Sequence, residues 1–331
     1  MRIRRLPAAS RAAFAFVSLL AATLAFVRPL AAQMSADQVT QLKLVTSATI
    51  SPDGRFVAFT RSLPRSAAED TMPGLRAGSE LFVVPVANGE PRAIVQAPLV
   101  ASAPQWSPDG SLLAFLHRGQ VYAVPSAGGE PRALTSIASG VSAFRFSPDG
   151  RQLAVITRVP EPSEVTRARA RGNDVMVSDG AYLPWVAPYQ APRPTQLVVV
   201  PVAGGEARAL TPNDKFVFDV AWAPDGRRLA VQIADRGDAD AVEMDKRIDL
   251  VSADGGALQP LVPRVGKLGP MAWSPDGTRL AYLGATRRND PIAQSVMVIA
   301  PGEAPRNLTP ALEASATSID WQDARTIRFV A

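Results

Sequence analysis

Residues 144–155 read FRFSPDGRQLAV. Their core, Ser147-Pro148-Asp149-Gly150, sets a hydroxyl, a carboxylate and a glycine side by side, as a reactive loop would. It also meets every demand of a type I turn. Serine at the first position accepts backbone hydrogen bonds, proline presets φ at the second, aspartate is tolerated at the third and glycine fits the end. Repetition decides between the two. The tetrapeptide returns at Ser51, Ser107 and Ser274, and as Ala223-Pro224-Asp225-Gly226. A catalytic residue does not recur five times at one structural position, so the stretch reads as a turn.

The flanks recur as well. SATI, APQW, AFRF, VAWA and MAW precede the turns; RFVAF, SLLAF, RQLAV, RRLAV and TRLAY follow them. Trp106, Trp222 and Trp273 share one slot, held by Ile50 and Phe146 in the other two copies, and a degenerate sixth copy, IDWQDARTIRF, puts Trp321 there. Bulky apolar residues so placed are predicted to pack between repeats. A second phrase follows each of the first five turns: LFVVPVANGEPRAI, VYAVPSAGGEPRAL, LVVVPVAGGEARAL, IDLVSADGGALQPL and VMVIAPGEAPRNL. Asn-Gly and Gly-Gly are hairpin signals because both central residues can take positive φ. Each unit therefore spells four strands, a to d, with alternation in b and c suited to sheets packed face to face. Four-stranded units of ~40–45 residues are the mark of β-propeller blades. The fold class predicted is all-β: a β-propeller of four-stranded blades, about six repeats visible, the last incomplete. The turns start 40 to 76 residues apart, and the excess falls between strands b and c, at 62–79, 159–195 and 235–245. Such insertions are predicted to emerge on one face, where loops bind.

Residues 1–33 are a separate object. Arg2, Arg4, Arg5 and Arg11 lead into the apolar run Ala12–Val27, and small residues follow at Ala31 and Ala32. This is the layout of a secretory signal cleaved near Ala32; the alternative is an uncleaved anchor, although 16 apolar residues fall short of the ~20 a spanning helix needs. The predicted organisation is a signal peptide, 1–33, and a propeller, 34–331, in the periplasm or secreted, with no membrane association after cleavage. Five arginines and no acid lie in 1–33, which leaves 30 basic against 30 acidic residues. The basic pI thus belongs to the leader, and no nucleic-acid partner is implied.

Enzyme chemistry finds little support. There is no cysteine, which excludes disulfides, thiolate catalysis and Cys-ligated zinc. The single histidine, His117, lies at the end of a b strand and is read as a structural surface residue. No Gly-x-Ser-x-Gly elbow, HExxH, P-loop or dinucleotide fingerprint occurs. Catalytic, cofactor-binding and metal residues are therefore predicted as none, and no cofactor is implied. Asp235, Asp238 and Asp240 could present oxygen to calcium, but their spacing is not that of an EF-hand, and the acidic stretch reads as a solvated loop. The insertion 159–195 holds Tyr182, Trp185 and Tyr189 with Arg193 nearby. These four are a candidate contact surface for a peptide or protein ligand at the loop face, or else they pack the loop onto the rim.

The repeated WSPDGxxLAF…LxVVPVxGGExRxLT resembles the WD-like propeller repeat of TolB-type proteins across nearly all of residues 45–331. Two further stretches, MSADQVTQLKLVTSATISPDGRFVAFTRS and NDVMVSDGAYLPW followed by TQLVVVPVAGGEARALT, resemble exported enzymes of the prolyl oligopeptidase family, the acylaminoacyl-peptidase and dipeptidyl-peptidase-like group. That resemblance implies an N-terminal propeller that restricts entry to a C-terminal α/β-hydrolase domain bearing a Ser–Asp–His triad. The hydrolase segment is not among these residues, so no catalytic residue is carried over. The sequence stops after strand b of the sixth unit, and residues 38–46 are a candidate for one closing strand. The expectation is of a partial product, partnered by a hydrolase domain. A stand-alone TolB-like binding propeller is the alternative, although the dozen or so residues before the first strand are too few for the α/β domain those proteins carry. A metal-dependent propeller enzyme such as a lactonase is a third class.

Overall fold

A computed structural model describes residues 38, 42–62, 79–96, 99–160, 192–264, 266–288 and 293–331. The leader and most of the 62–79 and 159–195 insertions, including Tyr182, Trp185 and Tyr189, lie outside the described residues.

The described chain forms five four-stranded antiparallel sheets and one pair. Blade I is β1 (Val45–Ile50), β2 (Phe56–Ser62), β3 (Ser79–Pro85) and β4 (Arg92–Val95). Blade II is β5 (Ser102–Trp106), β6 (Leu112–His117), β7 (Gln120–Pro125) and β8 (Arg132–Ala133). Blade III is β9 (Val141–Phe146), β10 (Gln152–Arg158), β11 (Thr195–Pro201) and β12 (Arg208–Ala209). Blade IV is β13 (Phe216–Trp222), β14 (Arg228–Ala234), β15 (Arg247–Ser252) and β16 (Gln259–Val262), with a short helix α1 (Ala239–Met244) before β15. Blade V is β17 (Leu268–Trp273), β18 (Leu280–Gly284), β19 (Ser295–Ile299) and β20 (Arg306–Asn307). Blade VI is the pair β21 (Ser318–Trp321) and β22 (Ile327–Val330). Strands run in sequence order within every sheet, and the first strand of each blade packs against the blade before it. This is the β-propeller that the repeat predicts. Of residues 38–46, the candidate closing strand, Val45 and Thr46 instead open β1, which pairs with β2, and residues 39–41 lie outside the described residues.

The expected alternation is seen in β2, where Ala58 and Thr60 are buried and Phe59 is not, but not in the middle strands of blades III and IV. β10 is buried from Leu153 to Thr157 and β14 from Leu229 to Ala234. Blades II to V lie between two neighbours, so both sets of alternate residues in their middle strands are apolar. On β14, Leu229, Val231 and Ile233 join the core shared with blade III, while Ala230 joins the core shared with blade V.

One pairing recurs at each of these shared cores. The aromatic slot of a first strand lies in one cluster with the alanine of strand b in the preceding blade: Trp106 with Ala58, Phe146 with Ala114, Trp222 with Ala154, Trp273 with Ala230, Trp321 with Ala281. All five alanines are fully buried, because only a methyl leaves room for an indole or phenyl ring there. The indole N–H then donates back to the preceding first strand: Trp106 Nε1 to Thr49 O (3.4 Å), Trp222 to Arg145 O (3.3 Å), Trp273 to Ala221 O (3.2 Å) and Trp321 to Ala272 O (3.0 Å). Phe146 has no such donor. Across that junction the amide of Gln105 in blade II reaches forward instead, Nε2 to Phe144 O at 2.7 Å.

The tetrapeptide is a turn built around its serine. In the Ser147 copy, Gly150 N donates to Ser147 O at 2.8 Å. Ser147 Oγ accepts from Gln152 N (2.9 Å) and donates to Asp149 Oδ1 (2.6 Å), which accepts from Arg151 N (3.0 Å). The other three serine copies repeat this geometry, and all four serines are buried. The glycines sit at φ 67° to 71°, a region that penalises a side chain. A Cβ added at Gly277 would also lie 3.4 Å from Pro224 of the preceding turn, and one at Gly150 3.5 Å from Pro108. The turns of successive blades therefore adjoin. A further repeat element closes the other side of the sheets of blades II, III and V: Thr135, Thr211 and Thr309, which follow the short fourth strands, accept from the backbone N–H of Val121, Leu197 and Val296.

Two stability predictions follow from these contacts. Ala230→Leu forces a larger side chain against Trp273 and should lower stability by about 1–3 kcal/mol in urea melts, whereas Trp273→Phe, which keeps the ring and drops the N–H, should lower it by about 1 kcal/mol. The serine hydroxyls, followed by the backbone N–H groups, hold Asp53, Asp109, Asp149 and Asp276 below the ordinary carboxylate value of 3.8. A depressed folded-state pKa stabilises at pH above the unfolded value, and the benefit is lost as pH falls through the folded one. The urea midpoint should therefore drop as pH passes below 3.8, with a shallower slope in Ser274→Ala. That variant should fold, because the Ala223 copy forms the same turn without the hydroxyl.

Candidate functional site

In every complete blade the b–c connection leaves the sheet at the end opposite the SPDG turn. The insertions predicted between strands b and c all occur there, after β2, β10 and β14, and a further one follows β18. Blade II alone has a two-residue connection, Arg118-Gly119, with both residues at positive φ. Since the SPDG turns of successive blades adjoin, the strand ends from which the b–c connections leave lie at the opposite face.

The first strands change character toward that face. Each carries a register shift in its N-terminal half: Val45/Ser47, Ser102/Gln105, the Val141 end of β9, Val217/Asp219 and Leu268/Met271. Bulges of this kind re-aim side chains and are common beside binding sites. In β13 the bulge presents Asp219. Its carboxylate accepts from Val220 N (2.9 Å) and from Arg145 Nη2 of blade III (3.4 Å), and its side chain is 29 % exposed. Lys246, just before β15, donates to Leu268 O of blade V (2.8 Å), with its ammonium 5.7 Å from the Phe218 ring centre. The buried Gln232 of β14, which opposes Asp219 in register, donates to Gly269 O at 2.5 Å. Polar groups of blades III, IV and V thus meet at the inner strands near the loop face.

Burial dominates the electrostatics of this cluster. It pushes the Asp219 carboxyl up against the opposing pull of Arg145 and Lys246, and it pushes the Lys246 ammonium down against Glu243 and Asp219. Both shifts have one cause, the partial removal of the two charged groups from water.

The sequence-predicted residues fare differently. Arg193 ties the base of the third insertion: its Nη2 donates to Val159 O (2.8 Å), beside the backbone bond from Val159 N to Pro194 O (2.9 Å). It is thus placed at the loop face, while its three aromatic companions lie outside the described residues. His117 is structural, as read, but it is buried rather than at the surface. Its Nδ1 donates to Val100 O at 2.8 Å and its ring meets Tyr122 edge-on. The acidic stretch is not simply a solvated loop. Asp238 caps α1 by accepting from Ala241 N, and Asp235 is held by Lys215, Arg247 and Arg264. Burial opposes ionisation of Asp235, yet those cations keep it below its ordinary value; with three cations on it, this carboxylate is not set out for a metal ion. Among the described residues no three His, Cys, Asp or Glu side chains gather in a metal-binding group, and no helix is long and apolar enough to cross a membrane.

The cluster at Asp219 is the feature that the sequence reading missed. Its signal was present: Gln105, Arg145 and Asp219 each interrupt an apolar first strand, in APQW, AFRF and FDVAW.

Comparison with solved structures places the architecture. The chain is similar to a putative TolB from Agrobacterium tumefaciens, with 17 % identity, 80 % of each chain covered and a TM-score of 0.50. It is similar to the acylaminoacyl peptidase of Pyrococcus horikoshii, with 13 % identity, a TM-score of 0.63, and 88 % of this chain but 43 % of the peptidase covered. An oligogalacturonate lyase in complex with manganese matches with 16 % identity and a TM-score of 0.57, over 81 % of this chain and 66 % of the lyase. The likeness is one of fold. This chain shares the propeller of TolB and of prolyl-oligopeptidase-type peptidases, and it spans less than half of the acylaminoacyl peptidase. No family model matches the sequence, and no curated protein does either.

Asp219 carries a stability prediction. A carboxylate whose folded-state pKa is raised weakens the fold at neutral pH, and that weakening fades as pH falls through the raised value. Asp219→Asn should therefore leave the urea midpoint at pH 7 unchanged or higher, with the difference from the parent shrinking on acidification.

Proposed function

We propose that this chain is the propeller of a secreted or periplasmic serine peptidase of the prolyl oligopeptidase type, and that it gates the approach of peptides to a hydrolase domain lying outside these 331 residues. The observation that carries the reading is the Asp219–Lys246 cluster, which joins blades III, IV and V at the end of the sheets from which the b–c connections leave. The opening phrase of the mature chain, the third insertion and the overlap with the acylaminoacyl peptidase support it. The role is physical rather than chemical. In this reading the inner strands, held by the Trp–Ala contacts, line the way in, which admits an extended peptide and turns away a folded protein. Asp219 offers a partly desolvated carboxylate to a peptide ammonium, a charge-assisted bond stronger than a neutral one.

The second reading is a stand-alone TolB-like propeller that binds envelope proteins, which the matched coverage with the Agrobacterium protein favours. Short peptides with free N-termini, titrated onto the purified chain, separate the two. Gating predicts weak saturable binding that falls with N-acetylation and drops about tenfold in Asp219→Asn. Binding of a folded partner that ignores Asp219→Asn and excludes no size class would favour the second reading. Labelling of any serine by a fluorophosphonate probe would overturn the assignment of catalysis to another domain.

A further inference from the structure

The residue two places beyond each turn glycine lies two before the socket alanine and shares its side of strand b. It is Phe56, Leu112, Gln152, Arg228 and Arg279 in turn. In blade IV this residue makes a contact of its own across the junction. The Arg228 guanidinium lies 5.0 Å from the centre of the Trp273 ring, within cation–π range, and its Nη2 donates to Gly277 O of the blade V turn at 3.0 Å. An indole and the carbonyl of a turn glycine thus form a seat for a guanidinium, and the chain fills it with its own arginine.

The same two partners line a cavity of about 390 Å³ between blades I and II, a size typical of small-ligand sites. Trp106 and Gly110 hold there the places of Trp273 and Gly277. Phe56, in the position of Arg228, lines the cavity too. It adds a second aromatic ring but no donor, and Gly110 O accepts no hydrogen bond among the described residues. Asp53 is also in the lining, and the turn uses only its Oδ1, which accepts from Ser51 Oγ (2.5 Å) and Arg55 N (3.0 Å). These bonds hold its carboxyl below the ordinary value, so it is charged at neutral pH. The two cations of the lining have partners of their own: Arg92 donates to Ser126 O at 3.2 Å, and the Arg55 guanidinium lies 5.7 Å from the centre of the Phe56 ring. No other junction combines these features. Between blades II and III the pair is Leu112 with Phe146, packed in one core, and between blades III and IV the open space is not lined by Trp222.

We infer that the cavity between blades I and II binds a guanidinium, that of free arginine or of an arginine residue in a polypeptide, stacked on Trp106 and donating to Gly110 O and to the Asp53 carboxylate. The planar fork of a guanidinium suits these three partners: its face lies on the ring while its edge carries N–H groups to two acceptors. An ammonium meets the acceptors but has no flat face for the indole. The site is at the SPDG end of the sheets, away from the Asp219 cluster, and does not rest on the gating of peptides.

N-acetyl-arginine amide, titrated onto the isotope-labelled chain, is the probe, with N-acetyl-citrulline amide as its neutral isostere. The indole N–H signal of Trp106, assigned from Trp106→Phe, should shift saturably in the nitrogen–proton spectrum, and the citrulline compound should bind at least tenfold more weakly. Asp53→Asn should weaken binding several-fold. Phe56→Arg supplies the guanidinium from within, as Arg228 does in blade IV, and should abolish the response without lowering the urea midpoint. Arg228→Gln, which places there the residue that blade III carries, should bring the Trp273 signal into the titration. Tighter binding of free arginine than of the amide assigns the amino acid as the ligand, and the reverse assigns a polypeptide; either upholds the site. Equal binding of the citrulline compound, or a response indifferent to Phe56→Arg, would overturn the inference. So would saturable binding of inorganic phosphate that Arg92→Ala abolishes, since the arginines of the lining would then be the ligands and an anion the occupant.

Discussion

An aromatic ring seated on an alanine is the contact on which this propeller depends. A blade is a small sheet with two apolar faces, and it is stable only between neighbours. The ring of one blade and the methyl group of the one before fix both the spacing and the rotation between them, and the indole N–H adds a directed bond to a carbonyl that would otherwise face an apolar layer. Small residues in the middle strands are therefore not gaps in the core. They are the sockets that let successive sheets approach closely enough to exclude water.

The two ends of each sheet divide the work. At one end the SPDG turns are saturated with internal hydrogen bonds: serine bonds aspartate and backbone, and each turn's glycine abuts the preceding proline. At the other end the chain is free to lengthen, the first strands are bulged, and polar side chains of three blades meet in a partly desolvated cluster. The same separation lets loops vary in length without disturbing the stacked cores, since none of the Trp–Ala contacts involves the b–c connections.

Much of the architecture was legible because it repeats. Five copies of one turn, each flanked by the same apolar strings, identify the strands and place the insertions, and the shared slot of Trp106, Trp222, Trp273 and Trp321 announces the contact between blades. The cluster at Asp219 was not legible in the same way. It joins residues 74 and 27 positions away, Arg145 and Lys246, through the packing of separate blades, and a bulge that no local pattern announces turns the carboxylate toward them. His117 misled for a related reason. A polar residue at a strand end suggests the surface, but the tight Arg118-Gly119 turn folds β7 back over it, and the backbone of Val100 supplies a partner that makes burial tolerable. The acidic stretch at 235–245 looked solvated because its cations, Lys215, Arg247 and Arg264, lie elsewhere in the chain.

The indole bonds all point one way, from a later blade to an earlier one, and a ribosome makes the earlier one first. At four junctions the carbonyl acceptor, on an inner strand with its alanine socket beside it, already exists when the tryptophan emerges. Growth is then templated: each newly made blade meets a finished surface with a specific receptor on it and has no need to search for a partner still to come. The junction of blades II and III inverts this polarity. There the donor, Gln105, is synthesised ahead of its acceptor, and the incoming Phe146 brings shape without a bond. At every junction the earlier blade thus offers a hydrogen-bonding group to the later one, a carbonyl at four of them and the Gln105 amide between blades II and III.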